Sequence, residues 1–152
     1  AARAEGLVLA LDGVQDPGNV GTMLRTAEAA GFSGALLSPA CADAFAPKTV
    51  RATMGSVYRM PVWRGELAGA LSALKERGFS VVSTELGGED FFAALPGLKA
   101  PLALVIGSEG NGVTPAVRAL STHRLALPMA GHVESMNAAV AAGILMYSIG
   151  HR

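Results

Sequence analysis

The chain has 152 residues, 51% of them apolar and 16% charged, with a formal net charge of +0 and one cysteine, Cys41. That length suits a single domain spanning 1–152, because no Pro- or Ser-rich linker or low-complexity tract divides it. A neutral total excludes a global attraction to nucleic acid or membrane, and one cysteine excludes an intrachain disulfide. With neither a metal-ligand cluster nor a secretory signal pattern, the expectation is a cytoplasmic protein with no metal and no membrane partner. So few charges also leave much of the surface small or apolar, a composition that favours self-association.

Leu7 to Leu11 is an apolar strand, and the DGVQDPGNVG that follows contains an Asp-Pro-Gly turn. Asn19 reads as an N-cap, after which Val20, Met23, Leu24 and Ala27 fall at helical spacing until Gly31 stops the helix. Arg25 lies about two turns in. Gly34 to Leu37 is a second strand, and a short helix begins near Pro47. Val57 to Val62 alternates weakly and predicts a third strand. Glu66 to Arg77 is an amphipathic helix closed by Gly78, and Phe79 to Ser83 is a fourth strand, followed by a loop with Gly87 and Gly88. Leu102 to Ile106 is a clear strand that runs directly into the glycine-rich GSEGNG. Thr114 then caps a helix with Pro115 at its first position.

Leu125 to Leu127 is the last strand. Past Pro128 and a loop containing Gly131, Ser135 reads as the cap of a final helix with no charged residue from Ala138 to Tyr147. A helix apolar on every face is expected to be buried all round. It is too short and too rich in Ala and Gly for a membrane span, which needs about 20 strongly apolar residues. Strands alternating with helices predict an α/β domain: a parallel sheet of about six strands with helices on both faces. Ligands bind beyond the carboxyl ends of such strands, which selects the loops after Leu11, Ser83, Ile106 and Leu127.

GSEGNG, Gly107 to Gly112, can serve as a backbone cradle, since three glycines let N–H groups approach a ligand closely. It is equally compatible with a flexible turn. It matches neither a dinucleotide fingerprint nor a P-loop, and Glu109 inside it suits a cationic or hydrogen-bond-donating ligand over a phosphate. Lys48, Arg51, Arg59 and Arg64 form a basic run interleaved with Tyr58 and Trp63, able to grip phosphates and stack bases or simply to form a solvated face. Ser135 with His123 and His132 lacks both a nucleophile elbow and an orienting acid, which argues against hydrolase chemistry.

Three separated segments resemble the SPOUT superfamily, specifically the SpoU (TrmH) class of RNA ribose 2'-O-methyltransferases. They are Asp16-Pro17-Gly18-Asn19-Val20-Gly21 with Arg25-Thr26-Ala27, then Leu104 to Gly110, then Leu127 to Gly131 continuing to Glu134-Ser135-Met136-Asn137. The resemblance spans nearly the whole chain; Met136 and Ala138 stand where the class usually has Leu and Val. It implies a C-terminal deep trefoil knot, which general rules of chain topology would exclude. It implies S-adenosylmethionine as cofactor, contacted around Thr84, Gly107, Glu109, Gly110, Leu127, Met129 and Met136. It implies methyl transfer to a ribose 2'-hydroxyl, with Arg25 central and Asn19, Glu109, Ser135 and Asn137 around it.

The partners it implies are RNA, rRNA slightly ahead of tRNA, and a second copy of the chain in a homodimer that would share the burial of the last helix. An RNA-recognition domain preceding Ala1 in the full protein is part of the same expectation. A non-catalytic knotted RNA-binding module is the alternative, opposed by the presence of Asn19, Arg25, Glu109, Ser135 and Asn137 together. A nucleotide-binding regulatory domain using GSEGNG is a third reading.

Overall fold

The computed structural model describes residues 6–131 and 136–151. In chain order they form β1 (Leu7–Asp12), α1 (Pro17–Ala29), β2 (Gly34–Leu37), α2 (Pro47–Thr53), α3 (Ser56–Arg59), β3 (Val62–Arg64) and α4 (Leu67–Glu76). There follow β4 (Ser80–Asp90), α5 (Phe91–Ala94), β5 (Leu102–Gly107), α6 (Pro115–Leu120), β6 (His123–Ala126) and α7 (Ala138–Gly150). The six strands pair in parallel in the order β3-β2-β1-β5-β4-β6.

β1 and β5 are central, and their near-continuous apolar runs follow from burial on both faces. Leu9 and Leu11 of β1 and Leu102, Leu104 and Ile106 of β5 pack with Met23 and Leu24 of α1 and Leu145 and Met146 of α7. The alternate residues Ala10, Ala103 and Val105 turn to the opposite face, where Leu67 and Leu71 of α4 and Val117 of α6 cover them. Helices thus cover both faces, as the alternation of strands and helices predicts. The chain leaves β1 through α1 on one face and leaves β5 through α6 on the other. The strands stay paired to Asp12 and Gly107, and it is the connections leaving them that diverge to opposite faces and open a crevice there.

Helix contacts fix which ends meet. A side chain at Gly21 would strike Ala52 of α2 at 2.3 Å, and one at Gly150 would strike the Ala30 carbonyl at 2.1 Å, so both positions need glycine for close packing. Thr26 sits beside Gly143 as Ala30 sits beside Gly150. α1 and α7 therefore run in the same direction, with both N-termini at the end of the sheet where the strands finish.

The structure departs from the sequence reading in five places, the last of them at Thr114, described with the site. Val57 to Val62 is not one strand: Met54 (φ 51) and Gly55 (φ 93) adopt left-handed backbone that ends α2 and restarts the chain as the single-turn α3, leaving only Val62–Arg64 as strand. Asp16, not Asn19, caps α1, because Pro17 occupies the first helical position and the Asp16 carboxylate accepts from the Asn19 N–H at 2.8 Å. β4 continues through Gly87 and Gly88 to Asp90, with a register shift against β6 between Thr84 and Glu89, and Asp90 caps the short α5.

The fourth departure concerns α7. It starts at Ala138 with Asn137 as its cap, and it is not buried all round: Val140, Ile144 and Tyr147 are 57%, 37% and 44% exposed in the single chain. Among the described residues no helix is long and apolar enough to cross a membrane.

Candidate functional site

Two of the expected segments meet over the crevice between β1 and β5. Asn19, in the first turn of α1, donates from Nδ2 to Glu109 Oε1 at 2.6 Å, joining residues 90 positions apart. Glu109 belongs to a hairpin-like loop in which Ser108 and Gly112 exchange backbone hydrogen bonds of 3.2 and 2.9 Å. Gly107 makes that fold-back possible, since a Cβ there would lie 2.2 Å from the Gly112 carbonyl carbon. Gly107 therefore serves the loop itself, whereas a Cβ on Gly110 would meet nothing within 4 Å. Of the two, only Gly110 offers open backbone to a ligand.

Arg25 lies on α1, solvent-exposed. Helical spacing places it on one stripe with Gly21, pressed on α2, and Glu28, which binds α3. That stripe runs along the side of α1 that faces α2 and α3.

The remaining expected residues gather around neighbouring strand ends. Thr84 on β4 pairs with Leu125 on β6 and donates from Oγ1 to the Val105 carbonyl of β5 at 3.2 Å. Gly107 ends β5, and Leu127 follows β6, partly buried against the core. Met129 is half-buried, while Met136 is 37% exposed. The Asn137 Oδ1 accepts from the Ala139 and Val140 N–H groups at 2.8 and 3.2 Å, which leaves its Nδ2 to donate. The parallel course of α1 and α7 brings Asn137 to the same end of the molecule as Asn19. Ser135, and the histidine at 132, lie outside the described residues.

The basic run divides in two. Arg59 donates to both carboxylate oxygens of Glu28, at 2.7 to 3.1 Å, and Ser56 donates to the same group. Arg59, then Ser56, hold the Glu28 pKa below its ordinary value, and the carboxylate in turn raises that of Arg59. Arg64 donates to the Pro39 and Cys41 carbonyls. Two of the four cations thus brace the fold, and Lys48 and Arg51 remain exposed on α2.

One residue escaped the sequence reading. Asp12 closes β1, is 4% exposed, and accepts from Thr114 through both N–H (2.7 Å) and Oγ1 (2.8 Å). The Thr114 hydroxyl is therefore spent on Asp12 and does not cap α6. The available signal was a carboxylate placed at the carboxyl end of an otherwise apolar strand. Asp12 forms part of a cleft of about 300 Å³ at the same end of the sheet, between the loops that follow β1, β2 and β5. Among the described residues no group of three or more His, Cys, Asp or Glu is arranged to hold a metal ion.

Residues 6–147 match the model of the SpoU rRNA Methylase family. The 23S rRNA (guanosine(2553)-2'-O)-methyltransferase RlmP of Bacillus subtilis is 42% identical over 142 residues, which cover 93% of this chain and 57% of that protein. The AdoMet-bound rRNA methyltransferase from Sinorhizobium meliloti superposes with a TM-score of 0.87 at 36% identity, covering 94% of this chain and 55% of that one. The SpoU methyltransferase AviRb from Streptomyces viridochromogenes, in complex with AdoMet, gives 0.85 at 31% identity over 94% and 58%. The chain thus spans little more than half the length of these relatives.

Proposed function

Since the chain belongs to the SpoU rRNA methylase family, we propose that it is the catalytic domain of an S-adenosylmethionine-dependent RNA ribose 2'-O-methyltransferase, acting on rRNA in preference to tRNA. The observation that carries this reading is the Asn19–Glu109 hydrogen bond, which draws the first two family segments into one site at the crevice. The names of the Bacillus, Sinorhizobium and Streptomyces relatives support the substrate class and the cofactor.

The residues present fit the cofactor. The open backbone at Gly110, the adjacent ends of β4, β5 and β6, and an acidic Glu109 suit a ligand that is cationic at sulfur. Thr84, Glu109, Gly110, Leu127, Met129 and Met136 would hold it, with Gly107 shaping the loop that carries Glu109 and Gly110, and when bound it supplies the electrophilic methyl group. Ser135 completes the proposed set as a polar neighbour of the transfer site. We read the segment after β6 as the threaded end of a trefoil knot, a reading supported by its two flanking elements: β6 is an edge strand beside β4, whereas α7 packs on α1, the helix that follows central β1.

The protein's own contribution is positioning and charge stabilisation. In-line transfer needs the 2'-hydroxyl held close to the methyl and its proton removed. A guanidinium is not deprotonated in proteins, so Arg25 acts by gripping an RNA phosphate and stabilising the developing alkoxide, not as a base. Asn19 fixes Glu109, whose second oxygen stays available to a donor. Asn137 offers Nδ2 while its Oδ1 pins the start of α7.

The exposed stripe Val140, Ile144 and Tyr147 is the proposed homodimer contact, and residues outside this chain would supply further RNA recognition. Calorimetric titration tests the reading. S-adenosylmethionine should bind and ATP should not; the reverse preference would favour a nucleotide-regulated domain.

A further inference from the structure

The outer side of the α2–α3 unit carries a pattern that the fold does not use. Phe45, Lys48, Arg51, Met54 and Tyr58 recur at steps of three, three, three and four residues, and all five are exposed. The apolar members are 57%, 64% and 73% exposed. The unit packs through other residues: Thr49, Thr53, Ser56 and Val57 are buried, Thr49 and Ala52 lie against Gly21 of α1, and Ser56 bonds Glu28 of α1. A mixed basic and apolar ridge is left to solvent along α2 and α3.

From Pro47 to Gly65 the chain contains no acidic residue. The flanking carboxylates are committed to backbone, Asp43 to the Phe45 N–H at 2.9 Å and Glu66 to the first turn of α4. Arg59 and Arg64 are held by the fold, whereas among the described residues neither Lys48 nor Arg51 has a hydrogen bond or ion pair from its side chain. Uncompensated cations between exposed rings attract phosphate and offer faces on which bases stack. Trp63 is not part of the ridge, because its ring closes over Gly65, where a Cβ would lie 2.5 Å from it.

The ridge runs beside the proposed transfer site. Gly21 meets Ala52 and Glu28 meets Ser56, so α2 and α3 follow α1 in the same direction, and Arg25 lies on the α1 stripe between those two contacts. RNA whose ribose is presented near Arg25 has the ridge on the next helix, about 8–10 Å across.

We infer that the ridge is a track for unpaired RNA next to the methylated nucleotide, with Lys48 and Arg51 holding phosphates and Phe45 and Tyr58 stacking bases. The inference rests on the methyltransferase reading and adds to it the RNA structure that the domain takes: single-stranded, with little preference for base. Bases within a duplex are stacked on one another and offer no free face to Tyr58, and the ridge presents no amide or carboxylate to read a base edge. A second copy of the chain fits less well, since a two-fold contact sets the same patch against itself and brings Lys48 and Arg51 toward their own counterparts.

Tyr58→Ala, Tyr58→Phe and the double variant Lys48→Gln with Arg51→Gln test this, all at exposed positions. A fluorescent oligouridylate of about 12 nucleotides, and an RNA duplex of the same length, are titrated into the full-length protein and followed by anisotropy. Tyr58→Ala should lose about tenfold in affinity for the single strand and little for the duplex, and Tyr58→Phe, which keeps the ring, should bind like wild type. The double variant should reduce the slope of log affinity against log salt by about 1.4, the share of two single-strand phosphate contacts.

Single-strand affinity and salt slope unchanged in these variants, or an equal loss of duplex binding in Tyr58→Ala, overturns the track. Tyr58→Ala that sediments toward monomer with RNA binding intact would give the ridge to a second copy instead. S-adenosylmethionine binding, measured separately on the wild type, reports on the methyltransferase reading: its absence would sink that reading, and the variants' RNA affinities would still decide the ridge.

Discussion

Asn19 and Glu109, 90 residues apart, meet at 2.6 Å across the divergence of α1 and α6. A hydrogen bond to a charged group contributes roughly 1.5–3 kcal/mol. Glu109→Ala should accordingly slow single-turnover methyl transfer by about 10- to 100-fold. Asn19→Ala should reproduce most of that loss, and the double variant should lose little more, because the two act as a unit. Additive losses measured in the same assay would show that the pair does not work jointly.

Arg25 makes a second case. Losing one donor that stabilises transition-state charge typically costs about 10²- to 10³-fold in rate. Arg25→Ala should lose methylation to that extent while its S-adenosylmethionine affinity, read by titration, stays near wild type. Arg25→Lys should recover little, since an ammonium cannot reproduce the planar fork. Loss of cofactor binding in Arg25→Ala would contradict this division of labour.

The glycines of GSEGNG separate structure from binding. Gly107→Ala forces a contact of 2.2 Å on the Gly112 backbone and should lower Tm, overpacking costing about 1–3 kcal/mol. Gly110→Ala meets nothing within 4 Å and should leave Tm unchanged. If the cofactor backbone contact falls there, it should weaken S-adenosylmethionine binding by about tenfold, or 1.4 kcal/mol. Identical behaviour of the two variants in thermal melts and titrations would refute the distinction.

Glu28 and Arg59 give a pH dependence. The Glu28 pKa is depressed, principally by Arg59. Its stabilisation is therefore complete above the ordinary carboxylate range and is lost as pH falls through the depressed value. Between about pH 5 and pH 3, wild-type Tm should fall more steeply than that of Glu28→Gln, which has nothing to protonate at this position. Parallel curves would mean the pair contributes no pH-dependent stability, and the effect should be modest because both groups are largely solvated.

The parallel sheet was legible because its central strands must be apolar on both faces, and LVLA and LALVI can hardly be anything else in an alternating chain. The cap of α1 was harder: Asp16 and Asn19 are both good cap residues, and only Pro17 at the first helical position decides between them. A four-residue helix such as α3 leaves the same weak pattern as a strand, so Val57 to Val62 misled. The basic run looked uniform because the partners of Arg59 and Arg64, namely Glu28, Pro39 and Cys41, are brought in by the fold. Asp12 carried a signal in its place at the end of an apolar strand, but its partner lies 102 residues downstream and only the fold brings the two together.

The exposed stripe on α7 yields a prediction for assembly. Ile144→Glu, at a half-open position between Val140 and Tyr147, should shift sedimentation toward monomer and reduce activity with it, with little change in the fold of the single chain. A variant that sediments as wild type would place the contact elsewhere.

The central claim is ribose 2'-O-methylation of RNA, and mapping 2'-O-methyl groups tests it most directly. RNA from cells carrying the intact gene, a deletion, and a deletion complemented with Arg25→Ala should be compared. The account predicts that a ribose methylation, in rRNA before tRNA, disappears on deletion and is restored by the intact gene but not by Arg25→Ala. An unchanged methylation map across all three would contradict it.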